Sequence, residues 1–138
     1  MILREAAPDA DVVHLACHAQ FRADNPMFSA LELADGPLAL HEAPSLGLRA
    51  QLVTLSACET GISHIAPGNE AIGLVRGFLL AGVRSVLASG WAVDDAATAE
   101  LMGDFYARLG AGDDAAVALA AAQRQRAQTG AHPFHWAA

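Results

Sequence analysis

Apolar and polar positions along this chain fall into short blocks, and the period of the pattern changes from one block to the next. Asp9-Ala10-Asp11 precedes Val12-Val13-His14-Leu15-Ala16-Cys17. That run is β-branched and apolar, the kind that forms a buried strand of a parallel sheet. It ends at His18-Ala19-Gln20. After a looped stretch with Asn25-Pro26, residues 28–34 alternate, Leu31 and Leu33 against Glu32. The chain turns at Asp35-Gly36 and resumes as Leu38-Ala39-Leu40, which predicts a small hairpin. A polar connector containing Pro44 and Gly47 leads into a second buried strand over 52–56.

A loop through Pro67-Gly68-Asn69 then gives way to a predicted helix over 70–81. Its apolar residues, Ile72, Leu74, Val75, Phe78, Leu79 and Leu80, surround most of the circumference, so the helix is expected to be largely buried, with Gly82 as its stop. Residues 83–88 form a third apolar strand ending at Ser89-Gly90-Trp91. Asp94 is placed to cap a helix running to about 109, with Leu101, Phe105 and Leu109 on one stripe and Gly110 as its stop. Asp113 or Asp114 caps an alanine-rich helix to about 128. His132, His135 and Trp136 in the tail read as core packing or as a disordered end.

The element order is strand, hairpin, strand, helix, strand, helix, helix, with no internal repeat. It predicts one α/β domain over residues 1–138, a three-layer sandwich with a mostly parallel sheet and helices on both faces. Composition agrees. The chain has 138 residues, 54% of them hydrophobic, which suits segments covered on both faces. Eight basic against fifteen acidic residues give a net charge of −7, so no nucleic-acid or anionic-membrane partner is expected.

The first residues, Met1-Ile2-Leu3-Arg4-Glu5, show no secretory signal, and every apolar stretch is broken before the length of a membrane span. With two cysteines, the expectation is a cytoplasmic protein with free thiols.

Chemistry in open parallel sheets gathers at the carboxyl ends of the strands. Two long strands end here in His18 and in Leu55-Ser56-Ala57-Cys58-Glu59-Thr60-Gly61. A cysteine acts as a nucleophile in its thiolate form, and a neighbouring imidazole can take its proton. Small residues and Gly61 around Cys58 permit a tight turn whose N–H groups face a carbonyl oxygen.

Cys17 should point away from His18, since side chains alternate along a strand. His14 lies about 13 Å from His18 along an extended strand, too far to share a metal, so no metal site is expected in this string. Gly61 and Gly68 are not followed by lysine, of which the chain has none, and no nucleotide site is expected.

Taken together, His14-Leu15-Ala16-Cys17-His18, Asp24-Asn25-Pro26 with Phe28-Ser29, the Cys58 motif and Trp91-Ala92-Val93-Asp94-Asp95 resemble the CHAT domain. That family is grouped with caspases, separases and gingipains. The resemblance runs from about Val12 to Ala138 and implies a caspase-like sandwich with a His18/Cys58 catalytic dyad. It implies a cysteine endopeptidase that acts on a protein or peptide through an acyl-enzyme, needs no cofactor, and holds the oxyanion on the backbone N–H groups of Cys58 and Ala19.

The chain departs from the family pattern in two places. Ala19 stands where such enzymes usually have glycine, and if the position needs a positive φ or very close substrate approach, the added methyl costs about 1 kcal/mol. The chain is also expected to be incomplete at both ends, lacking upstream strands and a final strand. The His18 strand would then carry an open edge for self-association or a partner chain.

Two roles stay open for Asp94 and Asp95: helix cap and first-turn carboxylate, or the wall of a pocket that favours a basic residue before the scissile bond. Glu59 either orients substrate backbone or stabilises its own loop. A catalytically weak CHAT module serving as a scaffold or signalling domain is the alternative function. Ketosynthase-like acyl chemistry at Ser56-Ala57-Cys58 lacks the further motifs it needs.

Overall fold

The apolar run expected to be a buried strand is realised as β1 (Val12–Gln20), but only one of its faces is covered: Val13 and Leu15 are buried while Val12, His14, Ala16, His18 and Gln20 are exposed. The computed structural model describes residues 2–20, 22, 24–58, 69–91 and 94–138. The chain opens with a short helix, α1 (Ile2–Ala6), which the sequence pattern did not predict. The hairpin is β2 (Ala30–Leu33) and β3 (Gly36–Ala39), and Gly36 at its turn has φ 126°, a conformation that favours glycine. The second long strand is β4 (Leu52–Cys58) and the third is β5 (Ser85–Ala88).

These strands form one five-stranded sheet in the order β3-β2-β1-β4-β5. β1, β4 and β5 run parallel, and the hairpin extends them antiparallel, so the molecule has an α/β fold built on a mixed sheet. β1 pairs with β4 from Val12↔Leu52 to His18↔Cys58. On its other side it pairs with β2 at His18↔Glu32, Ala19↔Leu31 and Gln20↔Ala30. The open edge expected of the His18 strand is therefore shortened, because β2 occupies it over 18–20.

One face of the sheet carries the main buried cluster, while β4 is covered on both faces, since Leu52 and Thr54 are buried as well as Val53 and Leu55. Val13 and Leu15 of β1, Val53 and Leu55 of β4, Leu31 of β2 and Leu38 of β3 join one buried cluster. Leu74 and Phe78 of α2 (Asn69–Leu80) belong to the same cluster. Each such large apolar side chain contributes about 1.5–3 kcal/mol through burial.

The expectation of an all-round buried α2 is not met: Ile72, Leu79 and Leu80 are exposed. Among the described residues of α2, Leu74 and Phe78, one helical turn apart, join the core cluster, since a helix laid on a sheet presents one face to it. The connector after β3 is not a loop either. Residues Leu40–Leu46 form a 3-10 helix that buries Leu40, Ala43 and Leu46, the three-residue spacing of that helix type.

Contacts divide the chain into two compact units, Met1–Gly90 and Trp91–Ala138. In the second, α3 (Asp95–Gly110) and α4 (Ala115–Gln128) pack on each other. Asp94 caps α3, and Asp114 rather than Asp113 caps α4. Gly110 is the last residue of α3, and Gly112 beyond it takes the positive φ, 101°. Arg126 on α4 reaches across to both Glu100 and Asp104 on α3.

The tail is ordered as a 3-10 turn at Pro133–His135. Gln123 Nε2 donates to Trp136 O at 3.0 Å, and Trp91 Nε1 donates to Phe134 O at 3.0 Å. No helix among the described residues is long and apolar enough to cross a membrane.

Candidate active site

β-Branched and apolar residues on β1 and β4 lock the two strands in parallel, and this ladder ends with His18 directly opposite Cys58. Neighbouring strands lie about 4.8 Å apart, so the two residues stand side by side at the carboxyl end of the ladder. His18 lies within β1, two residues before its end, and its side chain is exposed. Glu59, Gly61 and the other residues of 59–68, on which the expected tight turn falls, lie outside the described residues.

Register on the other flank of His18 matters equally. Glu32 of β2 is the residue opposite His18. Glu32, His18 and Cys58 thus occupy one row across three adjacent strands. Within this row the Glu32 carboxylate accepts a hydrogen bond from Gln20 Nε2. Further back on β1, His14 Nε2 lies 3.0 Å from Ser56 Oγ.

Cys17 is half-buried and packs against the core cluster, and burial pushes its thiol above the ordinary value. A raised thiol carries little thiolate at neutral pH, so Cys17 is a poor nucleophile. Its core-facing position also takes it away from exposed His14 and His18, and the three do not converge as metal ligands.

Ala19 is half-buried on the core side of β1 opposite Leu31. No non-glycine residue among those described has a positive φ, so the backbone strain foreseen for Ala19 does not arise.

The loop after β1 is held by its own motif. Arg22 Nη2 donates to Asp24 Oδ2 at 2.7 Å and Arg22 Nε to Asp24 Oδ1 at 3.1 Å. Hydrogen bonding from Arg22 holds the Asp24 carboxyl below its usual range. The Arg22 backbone N–H donates to Ser29 Oγ at 3.0 Å, and Ser29 is fully buried. Met27 N–H donates to Asn25 Oδ1 at 3.2 Å. Asp24, Asn25 and Ser29 therefore fix the path from the His18 strand into the hairpin.

Asp94 serves its helix. Its Oδ1 accepts from Ala97 N–H at 2.9 Å, while its carbonyl accepts from Thr98 Oγ1 at 2.8 Å. Asp95 is the exposed first residue of α3. Both belong to the second unit.

Sequence reasoning did not single out Glu32 or Gln20 for chemistry. The one available signal was the polar position between Leu31 and Leu33, which marks Glu32 as facing away from the core. The sequence model of one family, the CHAT domain, matches residues 2–138. No curated protein matches the chain.

Proposed function

Because this chain belongs to the CHAT domain family, we propose that it is a cysteine endopeptidase of the caspase-like type, with Cys58 as nucleophile and His18 as acid and base. The observation that carries this reading is the register His18↔Cys58 at the carboxyl ends of two adjacent parallel strands. Strand ends of this kind are where open parallel sheets place their chemistry.

In the proposed reaction His18 takes the thiol proton, and the thiolate sulfur of Cys58 attacks the carbonyl carbon of the scissile peptide bond. The carbonyl oxygen becomes an oxyanion held by backbone N–H groups, assigned to Cys58 and Ala19. The tetrahedral species collapses as the C–N bond breaks. His18 gives its proton to the departing amine, leaving a thioester on Cys58. Water, deprotonated by His18, then attacks the thioester, and the thiol leaves with the proton returned. The chemistry is complete with protein groups and water. A reducing, cytoplasmic setting belongs to this reading, since the thiol must stay free.

A positional peptide library incubated with wild type, Cys58→Ala and His18→Ala tests the proposal. Cleavage by wild type and by neither variant supports it. The library also reads the residue preferred before the cleaved bond. Absence of cleavage across the library contradicts the enzyme reading and favours the scaffold or signalling module.

A further inference from the structure

Resting on the dyad reading, we propose that Glu32 is a positioning residue for His18, so that Glu32, His18 and Cys58 act as a carboxylate–imidazole–thiol row across β2, β1 and β4.

Three observations carry it. His18 has Cys58 opposite it on one neighbouring strand and Glu32 opposite it on the other. Directly opposed residues of an antiparallel pair put their Cβ atoms about 5 Å apart on the same face, within reach of a carboxylate and an imidazole. Glu32, His18 and Gln20 are all exposed, so all three lie on the side of the sheet that a substrate can approach.

Gln20, two residues beyond His18 on the same face, donates its amide N–H to Glu32 Oε1. That bond steers the carboxylate over β1. A carboxylate has about four acceptor sites, so the amide leaves capacity for an imidazole N–H.

The chemistry this permits is specific. Glu32 accepts the Nδ1–H of His18, which fixes the tautomer in which Nε2 is free to take the Cys58 proton. When that proton moves to Nε2, the imidazolium formed is stabilised by the carboxylate, which itself stays ionised. No bond is made or broken at Glu32. The titratable groups beside His18 in the row are Glu32 on β2 and Cys58 on β4, with His14 further back on β1.

The pH dependence of Cys58 alkylation by iodoacetate, followed by peptide-resolved mass spectrometry on the whole chain, tests this. An imidazolium draws the anionic reagent, so the rate falls on the alkaline side as His18 loses its proton. Removing the carboxylate in Glu32→Gln weakens the imidazolium, and the alkaline limb should move down by roughly half a pH unit at low salt. The shift should shrink in about 1 M salt, and Glu32→Asp should restore the profile in part. Thermal stability should be unchanged, since the side chain is exposed.

Glu5→Gln, the same charge change at an exposed residue of α1, should leave the profile in place. A profile for Glu32→Gln that superimposes on wild type, or that moves equally in Glu5→Gln, overturns this inference while the dyad stands. Wild-type alkylation indifferent to His18→Ala overturns the dyad and this inference with it.

Discussion

Cys17 and Cys58 occupy neighbouring strands of the same ladder, Cys17 opposite Ala57 and Cys58 opposite His18, yet they are assigned opposite behaviour. Burial raises the Cys17 thiol, so it should react slowly with iodoacetamide at pH 7 and gain rate only above the usual thiol range. Unfolding in denaturant should remove that protection. Fast labelling of Cys17 in the folded protein would contradict its core position. Asp94 makes a plainer case. Its carboxylate satisfies the Ala97 N–H at the start of α3, and Asp94→Ala should cost about 1 kcal/mol in a denaturation midpoint. Both assignments were readable from the chain, one from strand alternation and the other from a capping residue before an apolar stripe. Glu32 was not assigned a role, because a strand's own period says which face a residue is on and nothing about which residue stands opposite.

Elements were legible where one period dominates. β4 and α3 follow their hydrophobic patterns closely, β1 stands where its apolar run is, α4 follows from its cap and alanine content, and the hairpin follows from Asp35-Gly36 between two apolar runs. Two elements were misjudged for the same reason: a pattern gives the apolar positions but not the partner that covers them. The 3-10 helix at Leu40–Leu46 places Leu40 under Gly77 of α2, where an added Cβ would lie 3.2 Å from Leu40 Cδ2. Gly77→Val should therefore destabilise by about 1–3 kcal/mol through overpacking. Gly103 on α3 has nothing within 4 Å of an added Cβ, and Gly103→Ala should instead stabilise by about 0.5–1 kcal/mol through helix propensity. Opposite signs in chemical denaturation would check both packing assignments together. Between α3 and α4, Arg126 bridges Glu100 and Asp104. Arg126→Ala should cost about 1–2 kcal/mol, most of it from the less exposed Asp104 bond.

Across the whole molecule, the sequence conveyed the order of elements and the family, while the structure added the register. A parallel ladder that begins at Val12↔Leu52 ends at His18↔Cys58, and a slip of one residue would put the two on opposite faces. Every functional claim made for this chain passes through that pairing. The most direct test is covalent capture by a peptide bearing a thiol-reactive acyloxymethyl ketone, read as intact mass and mapped to the labelled residue. The account predicts one adduct per chain, on Cys58, formed by wild type and lost in both Cys58→Ala and His18→Ala. Labelling that persists undiminished in His18→Ala, or that never reaches Cys58 in wild type, would contradict it.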